Sequence, residues 1–282
     1  MRGEFLDVAG SRLYYYAAGS RGAGEPIVLI HGFPTSGHLW SDVVPALPPG
    51  HRVVVLDLLG YGRSDPAMQS PVDIGAHAER LVAVLDELRI ARACLVGHGA
   101  GGGIAQSVAV RFPQRVSRLC LVNSVMFDEW PTWRGRFARA LAPIARHLPP
   151  LWVCAAVHRM LAPGYVDREK GMRDIDLFLR PFEGLGGREA LLSHLVQITS
   201  PATKPLSARL RDIKVPTAVV WGANDPYLSV HYGRALSQSI PGSTFDIVPG
   251  TRHFLPCEAA LGVAAAVQKL IERQDKRSFL GH

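Results

Sequence analysis

An α/β architecture, a mostly parallel twisted sheet flanked by helices, is predicted by three features of this sequence. Short apolar, β-branched runs alternate with helical patterns. One of these runs breaks into a tight glycine-rich turn and continues as a helix. Two later runs end in loops carrying an acid and a histidine. In open sheets of this kind ligands bind at the carboxyl ends of the strands.

The strand-like runs are PIVLIHG (Pro26 to Gly32), RVVVLDL (Arg52 to Leu58), ACLVG (Ala93 to Gly97), RLCLVNS (Arg118 to Ser124), TAVVWG (Thr217 to Gly222) and TFDIVPG (Thr244 to Gly250). Two short alternating strands precede them in the N-terminal segment. Helical patterns span Asp73 to Leu88, Ile104 to Phe112 and about Glu258 to Arg273. From Met126 to Pro205 the rhythm changes. No strand pattern appears there, and Pro143, Pro149, Pro150, Pro163 and Pro181 divide the segment. A loop of that length is rarely structureless inside a compact domain, so a helical lid insertion is expected over 126–205, with 1–125 and 206–282 forming the core.

The chain has 282 residues, enough to bury one large core without disulfide or metal staples. A hydrophobic fraction of 48% and a charged fraction of 20% exclude a disordered chain. The formal charge of +7 raises the question of nucleic acid or an acidic membrane. The basic residues are scattered, and the small groups Arg134, Arg136, Arg139 and Lys276-Arg277 lack aromatics interleaved for base stacking. The expected partner is therefore a small-molecule substrate, with no nucleic acid and no membrane; a homodimer is left open. Cys94, Cys120, Cys154 and Cys257 have no metal-ligand spacing and are expected to be reduced and buried. Without a signal layout or an apolar run of spanning length, a cytoplasmic protein is expected.

The stretch LVGHGAGGGIAQ, Leu95 to Gln106, has the strand–turn–helix order of a nucleophile elbow, G-x-S-x-G, but its central residue is Gly99. Downstream stand Asp225 in WGANDPYLS and His253 in PGTRHFLPCE. That chain order, with HGFP at His31 to Pro34 and DLLGYGRSD at Asp57 to Asp65, resembles the α/β-hydrolase superfamily over essentially the whole chain. The resemblance implies that Asp225 orients His253 as general base, and that the backbone amides of Phe33 and Ala100 form an oxyanion hole. His31, His98, Gly60 and Gly62 are assigned to packing and turn geometry.

GHGAGGG is similar to the GHD-x-GGG of the epoxide hydrolase and haloalkane dehalogenase branches, whose nucleophile is a carboxylate. The lid, however, offers only Tyr165 where epoxide hydrolases use two tyrosines. Ala100 stands where dehalogenases place a halide-binding Trp. Esterases, lactonases and carbon–carbon hydrolases, with Ser, share the remaining motifs, so Asp and Ser both stay open. Of the lid aromatics Trp130, Trp133, Trp152, Phe137, Phe178 and Phe182, the first two are expected at the substrate with Tyr165. No metal or organic cofactor is implied. Three functions compete: a hydrolase of a small apolar ester, lactone or epoxide lacking its nucleophile, an enzyme using His253 directly as base in water attack, lyase or cyclase chemistry, and a ligand-binding sensor.

Overall fold

The computed structural model describes residues 3–19, 24–67, 70–128, 133–199 and 203–273. Strands β1 (Glu4–Val8), β2 (Ser11–Ala18), β3 (Ile27–Ile30), β4 (Val53–Leu56), β5 (Ala93–His98), β6 (Val116–Val122), β7 (Thr217–Gly222) and β8 (Thr244–Val248) form one sheet. Its order is β1-β2-β4-β3-β5-β6-β7-β8. The β1–β2 and β2–β4 pairs are antiparallel; every later pair is parallel. Residues of β3, β4, β5 and β7 are buried throughout, as expected for strands covered on both faces. All four cysteines are buried free thiols.

The helices are α1 (Ile74–Glu87), α2 (Ala100–Arg111), α3 (Trp133–Ala145), α4 (Pro150–Leu161), α5 (Arg168–Leu179), α6 (Leu185–Gln197), α7 (Lys204–Ser207), α8 (Val230–Ser239), α9 (Leu255–Glu258) and α10 (Ala260–Glu272). Helix α1 starts where the Asp73 carboxylate accepts from the Gly75 and Ala76 amides, satisfying two N-terminal donors. Helix α2 begins at Ala100, four residues before the hydrophobic pattern does. Three consecutive glycines have poor helix propensity, yet Gly101 to Gly103 are buried in its first turn. Tertiary packing decides there: a Cβ on Gly101 would collide with the carbonyl oxygens of Ile30 and His31.

Helices α3 to α7 all lie between β6 and β7. The C-terminal end of α4 is tied to the loop after β7, where Tyr227 Oη donates to the carbonyls of Met160 and Leu161, each at 2.8 Å. The loop after β8 is held by the same segment, with the His253 amide donating to Gly164 O at 3.1 Å. Among the described residues no helix is long and apolar enough to cross a membrane.

Candidate active site

The turn after β5 builds the floor of the site. Gly99 has φ 56° and ψ −122°, a left-handed conformation that favours glycine. Its carbonyl accepts from the amides of Gly102 at 3.1 Å and Val125 at 3.1 Å, which locks the turn against α2 and the end of β6. A Cβ built on Gly99 lies 3.9 Å from His253 Nε2 and 3.8 Å from Gly32 Cα, in ordinary contact with both. Residue 99 therefore has room for a side chain, and that side chain would face the histidine.

His253 is 9% exposed, and its Nδ1 donates to Asp225 Oδ2 at 2.7 Å. This bond turns Nε2 toward Gly99. Asp225 is itself fixed from three sides. Its Oδ1 accepts from the Tyr227 and Leu228 amides at 2.8 and 3.0 Å, and its Oδ2 accepts from Asn123 Nδ2 at 2.7 Å. Burial pushes the Asp225 carboxyl up, but the His253 charge and hydrogen bond and the two amides outweigh it, so the group titrates below the ordinary aspartate value. Asn123, at the end of β6, also accepts from the Gly222 amide at 3.2 Å and holds φ 41°, a conformation Asn tolerates better than most residues.

The loop after β3 closes the other side. Gly32 O accepts from the Thr35 amide at 3.0 Å and from Thr35 Oγ1 at 2.8 Å, turning the chain at HGFP. A Cβ on Gly32 would stand 2.8 Å from His98 O and 3.0 Å from the Ala100 nitrogen, too close to fit without a shift. Glycine there lets the two loops touch and brings Phe33 and Ala100 to one cavity. The Ala100 amide opens α2, whose first N–H groups have no intrahelical acceptor and favour negative charge.

That cavity, about 140 Å³, is lined by Phe33, Gly99, Ala100, Val125, Gly135, Met160, Leu161, His194, Leu195, Ile198, Tyr227, Leu228 and His253. The walls are mostly apolar. A cavity of roughly 150 Å³ with apolar walls takes up benzene, so the reacting part of a ligand here is of that order.

The catalytic trio read from the sequence, Gly99, Asp225 and His253, is thus brought together with Phe33 and Ala100. Tyr165 is not. It is 1% exposed, its Oη donates to Asp174 at 3.2 Å, and its ring stacks on Phe254, so it packs the insertion on the core instead of lining the cavity. Trp130 lies outside the described residues; Trp133 opens α3, and the cavity wall from that helix is Gly135. Phe178 and Phe182 are buried in the core, whereas Phe137 and Trp152 point to solvent.

Sequence reasoning missed Asn123 and the α4 and α6 wall residues. The Asn in LVNS, directly after a strand, was the available signal for the first. His194 gave none. Its ring sits between the Ala190 carbonyl at 2.7 Å and the Leu59 carbonyl at 3.1 Å, and burial lowers its pKa to about 4. His98 meets its expected packing role: burial lowers its pKa to about 3, and its Nε2 donates to His253 O at 2.9 Å.

Among the described residues no group of His, Cys, Asp and Glu is placed to hold a metal ion. A model described as alpha/beta hydrolase fold matches residues 25–260, and the chain belongs to that family. It is similar to the dihydrolipoyllysine-residue acetyltransferase component of the acetoin cleaving system of Pseudomonas putida, 32% identical over 256 residues, which cover 90% of this chain and 65% of that protein. Among solved structures, an alpha/beta hydrolase fold protein from Burkholderia ambifaria superposes with TM-score 0.86 at 26% identity, covering 94% of this chain and 97% of that one. The enol-lactonase from Burkholderia xenovorans superposes with TM-score 0.81 at 26% identity, covering 95% and 99%. The family and the likeness to the enol-lactonase indicate a hydrolase-type enzyme.

Proposed function

We propose that the site is a hydrolase reaction centre for a small, largely apolar ester, lactone or epoxide, complete except for the attacking atom at residue 99. The observation that carries this reading is the 3.9 Å between a Cβ on Gly99 and His253 Nε2. An oxygen on that carbon would come within reach of the general base. Asp225 holds the ring in the tautomer that leaves Nε2 free to accept a proton, and stabilises the imidazolium that results. The amides of Phe33 and Ala100 would receive the negative charge that develops on the substrate oxygen. Helices α3 to α6 act as a lid that excludes water from the cavity.

In the chain as it stands, attack falls to a water that His253 activates. Oxyanion stabilisation and binding alone retain about 10³- to 10⁴-fold catalysis over water in hydrolases stripped of their nucleophile. A second reading, direct base chemistry by His253 as its native task, is favoured by one observation: the Asp225–His253 pair is intact and buried at 2.7 Å. A pure ligand sensor has no use for a buried carboxylate held against a histidine, since burying a carboxylate is costly.

The test is a turnover panel of small esters, lactones, epoxides and haloalkanes for the Gly99 chain, Gly99→Ser and Gly99→Asp. Higher turnover in one substituted form identifies the nucleophile and reaction class together. Turnover by the Gly99 chain alone selects the direct-base reading. Silence from all three forms overturns both.

A further inference from the structure

A small open space separates Gly99 from His253. A Cβ built on Gly99 stands 3.8 Å from Gly32 Cα and 3.9 Å from His253 Nε2, and beyond its chain neighbours no other atom of the described residues lies within 4 Å. The His253 ring is fixed by its 2.7 Å bond to Asp225 and by edge-on contacts with Tyr227 and Phe254, centroids 5.0 and 5.2 Å apart. Its Nε2, in a residue only 9% exposed, has no hydrogen-bond partner among the described residues. Buried polar atoms are normally paired, so this nitrogen calls for a small polar ligand in the space it faces.

The surroundings select a carboxylate. The Ala100 amide, at the start of α2, favours a negative group beside it. Among the described residues the cavity lining holds no Asp or Glu, so no charge there repels an anion. Asp225 lies on the Nδ1 side of the ring, away from the space. A carboxylate that arrives with a proton lets His253 donate from Nε2 to one of its oxygens while Nδ1 still donates to Asp225. That leaves the second oxygen free to attack. Apolar walls make burial of the anion costly, and the ceiling for a ligand of three heavy atoms sets its Kd at about 1 mM or weaker.

We propose that this chain takes a formate-sized carboxylate from solution into the space beside Gly99 and uses it, in place of water, to open small epoxides. The proposal rests on the hydrolase reading of the site. One carboxylate oxygen attacks an epoxide carbon; the new C–O bond forms as the ring C–O bond breaks, and the electron pair of the broken bond goes to the ring oxygen. The amides of Phe33 and Ala100 receive that charge, and the proton carried on His253 Nε2 neutralises it. Formic acid and epoxide thus give a hydroxyalkyl formate, and His253 returns to its neutral form. Esters are poorer partners, because the same attack would yield an anhydride more reactive than the ester it came from.

The experiment follows propylene oxide turnover by the full chain across a formate series at constant ionic strength, with chloride as the balancing anion. The rate should rise to saturation, roughly tenfold over chloride, since a free nucleophile keeps only part of the effective molarity of an attached one. Mass spectrometry should find hydroxypropyl formate, and broadening of the formate NMR signal should report binding. Gly99→Ala should lose both the rate rise and the broadening, because its methyl fills the space without supplying an oxygen. Pivalate, too bulky for that space, should give no rise, which keeps the test valid if Gly99→Ala does not fold. No broadening, no ester product, or an equal rise with pivalate or in Gly99→Ala would overturn the proposal. If Gly99→Asp opens the epoxide while the Gly99 chain ignores formate, the proposal falls and the hydrolase reading stands. If every form is inactive across the substrate panel, both fall.

Discussion

At the scale of single residues, Gly99 is the point on which the chemistry turns. Its backbone conformation, φ 56° and ψ −122°, is one that residues with a Cβ adopt at a cost of about 1–3 kcal/mol. Glycine removes the strain and, in the proposed function, the attacking atom as well. Gly99→Ser and Gly99→Asp should therefore lower the thermal midpoint; an unchanged or raised midpoint in both would contradict the strain argument. Asp225 is the second such residue. Its folded pKa lies below the ordinary value, so its contribution to stability is present above an unfolded aspartate value of about 3.9 and is lost as pH falls through the folded one. Asp225→Asn should lower the urea midpoint at neutral pH, and the difference from the parent should shrink below pH of about 4. A difference independent of pH would show that the carboxylate charge is not what stabilises the site. The meeting of Gly99, Asp225 and His253 at one place was legible because each follows a strand run in the right order. Tyr165 was misread because sequence spacing does not distinguish a lid tyrosine that faces the cavity from one that packs against Phe254.

At the scale of elements, the turn between β5 and α2 works only because backbones touch. Gly101→Ala would press a methyl against the carbonyls of β3 and should cost about 1–3 kcal/mol or more, read as a lower denaturation midpoint. A neutral result would mean that the turn relaxes freely. The early start of α2 was hidden for the same reason: three glycines argue against a helix locally, and close packing of Gly101 on Ile30 and His31, of Gly102 on Ser124 and of Gly103 on Ile74 and Val125 overrides them. Asn123 links the ends of β6 and β7 to the acid. Asn123→Ala should lower kcat by loosening Asp225 and cost about 1–3 kcal/mol through unsatisfied buried groups. Unchanged kcat would confine Asn123 to stability.

At the scale of the molecule, the mostly parallel sheet and the run of helices between β6 and β7 followed from alternation of runs and from the break at Met126, whereas the strand order did not. The cavity walls did not, because Met160 and Leu195 belong to helices, and Ile198 to the end of one, whose facing sides depend on how the insertion seats. The buried histidines give the whole chain an acid sensitivity. Burial lowers His31 to about 4, His98 to about 3 and His194 to about 4, from an ordinary value of 6.5. The unfolded chain then binds more protons below 6.5, so unfolding free energy should decline as pH falls from 6.5 toward 4. A flat profile over that window would refute neutral burial of these rings. The central claim is that residue 99 and His253 form one reaction centre. Its most direct test is kcat/KM for whichever of Gly99→Ser or Gly99→Asp turns over, measured with and without His253→Gln on a substrate of cavity size. Removing the histidine should lower it at least about 10³-fold. Turnover that ignores His253 would contradict the claim.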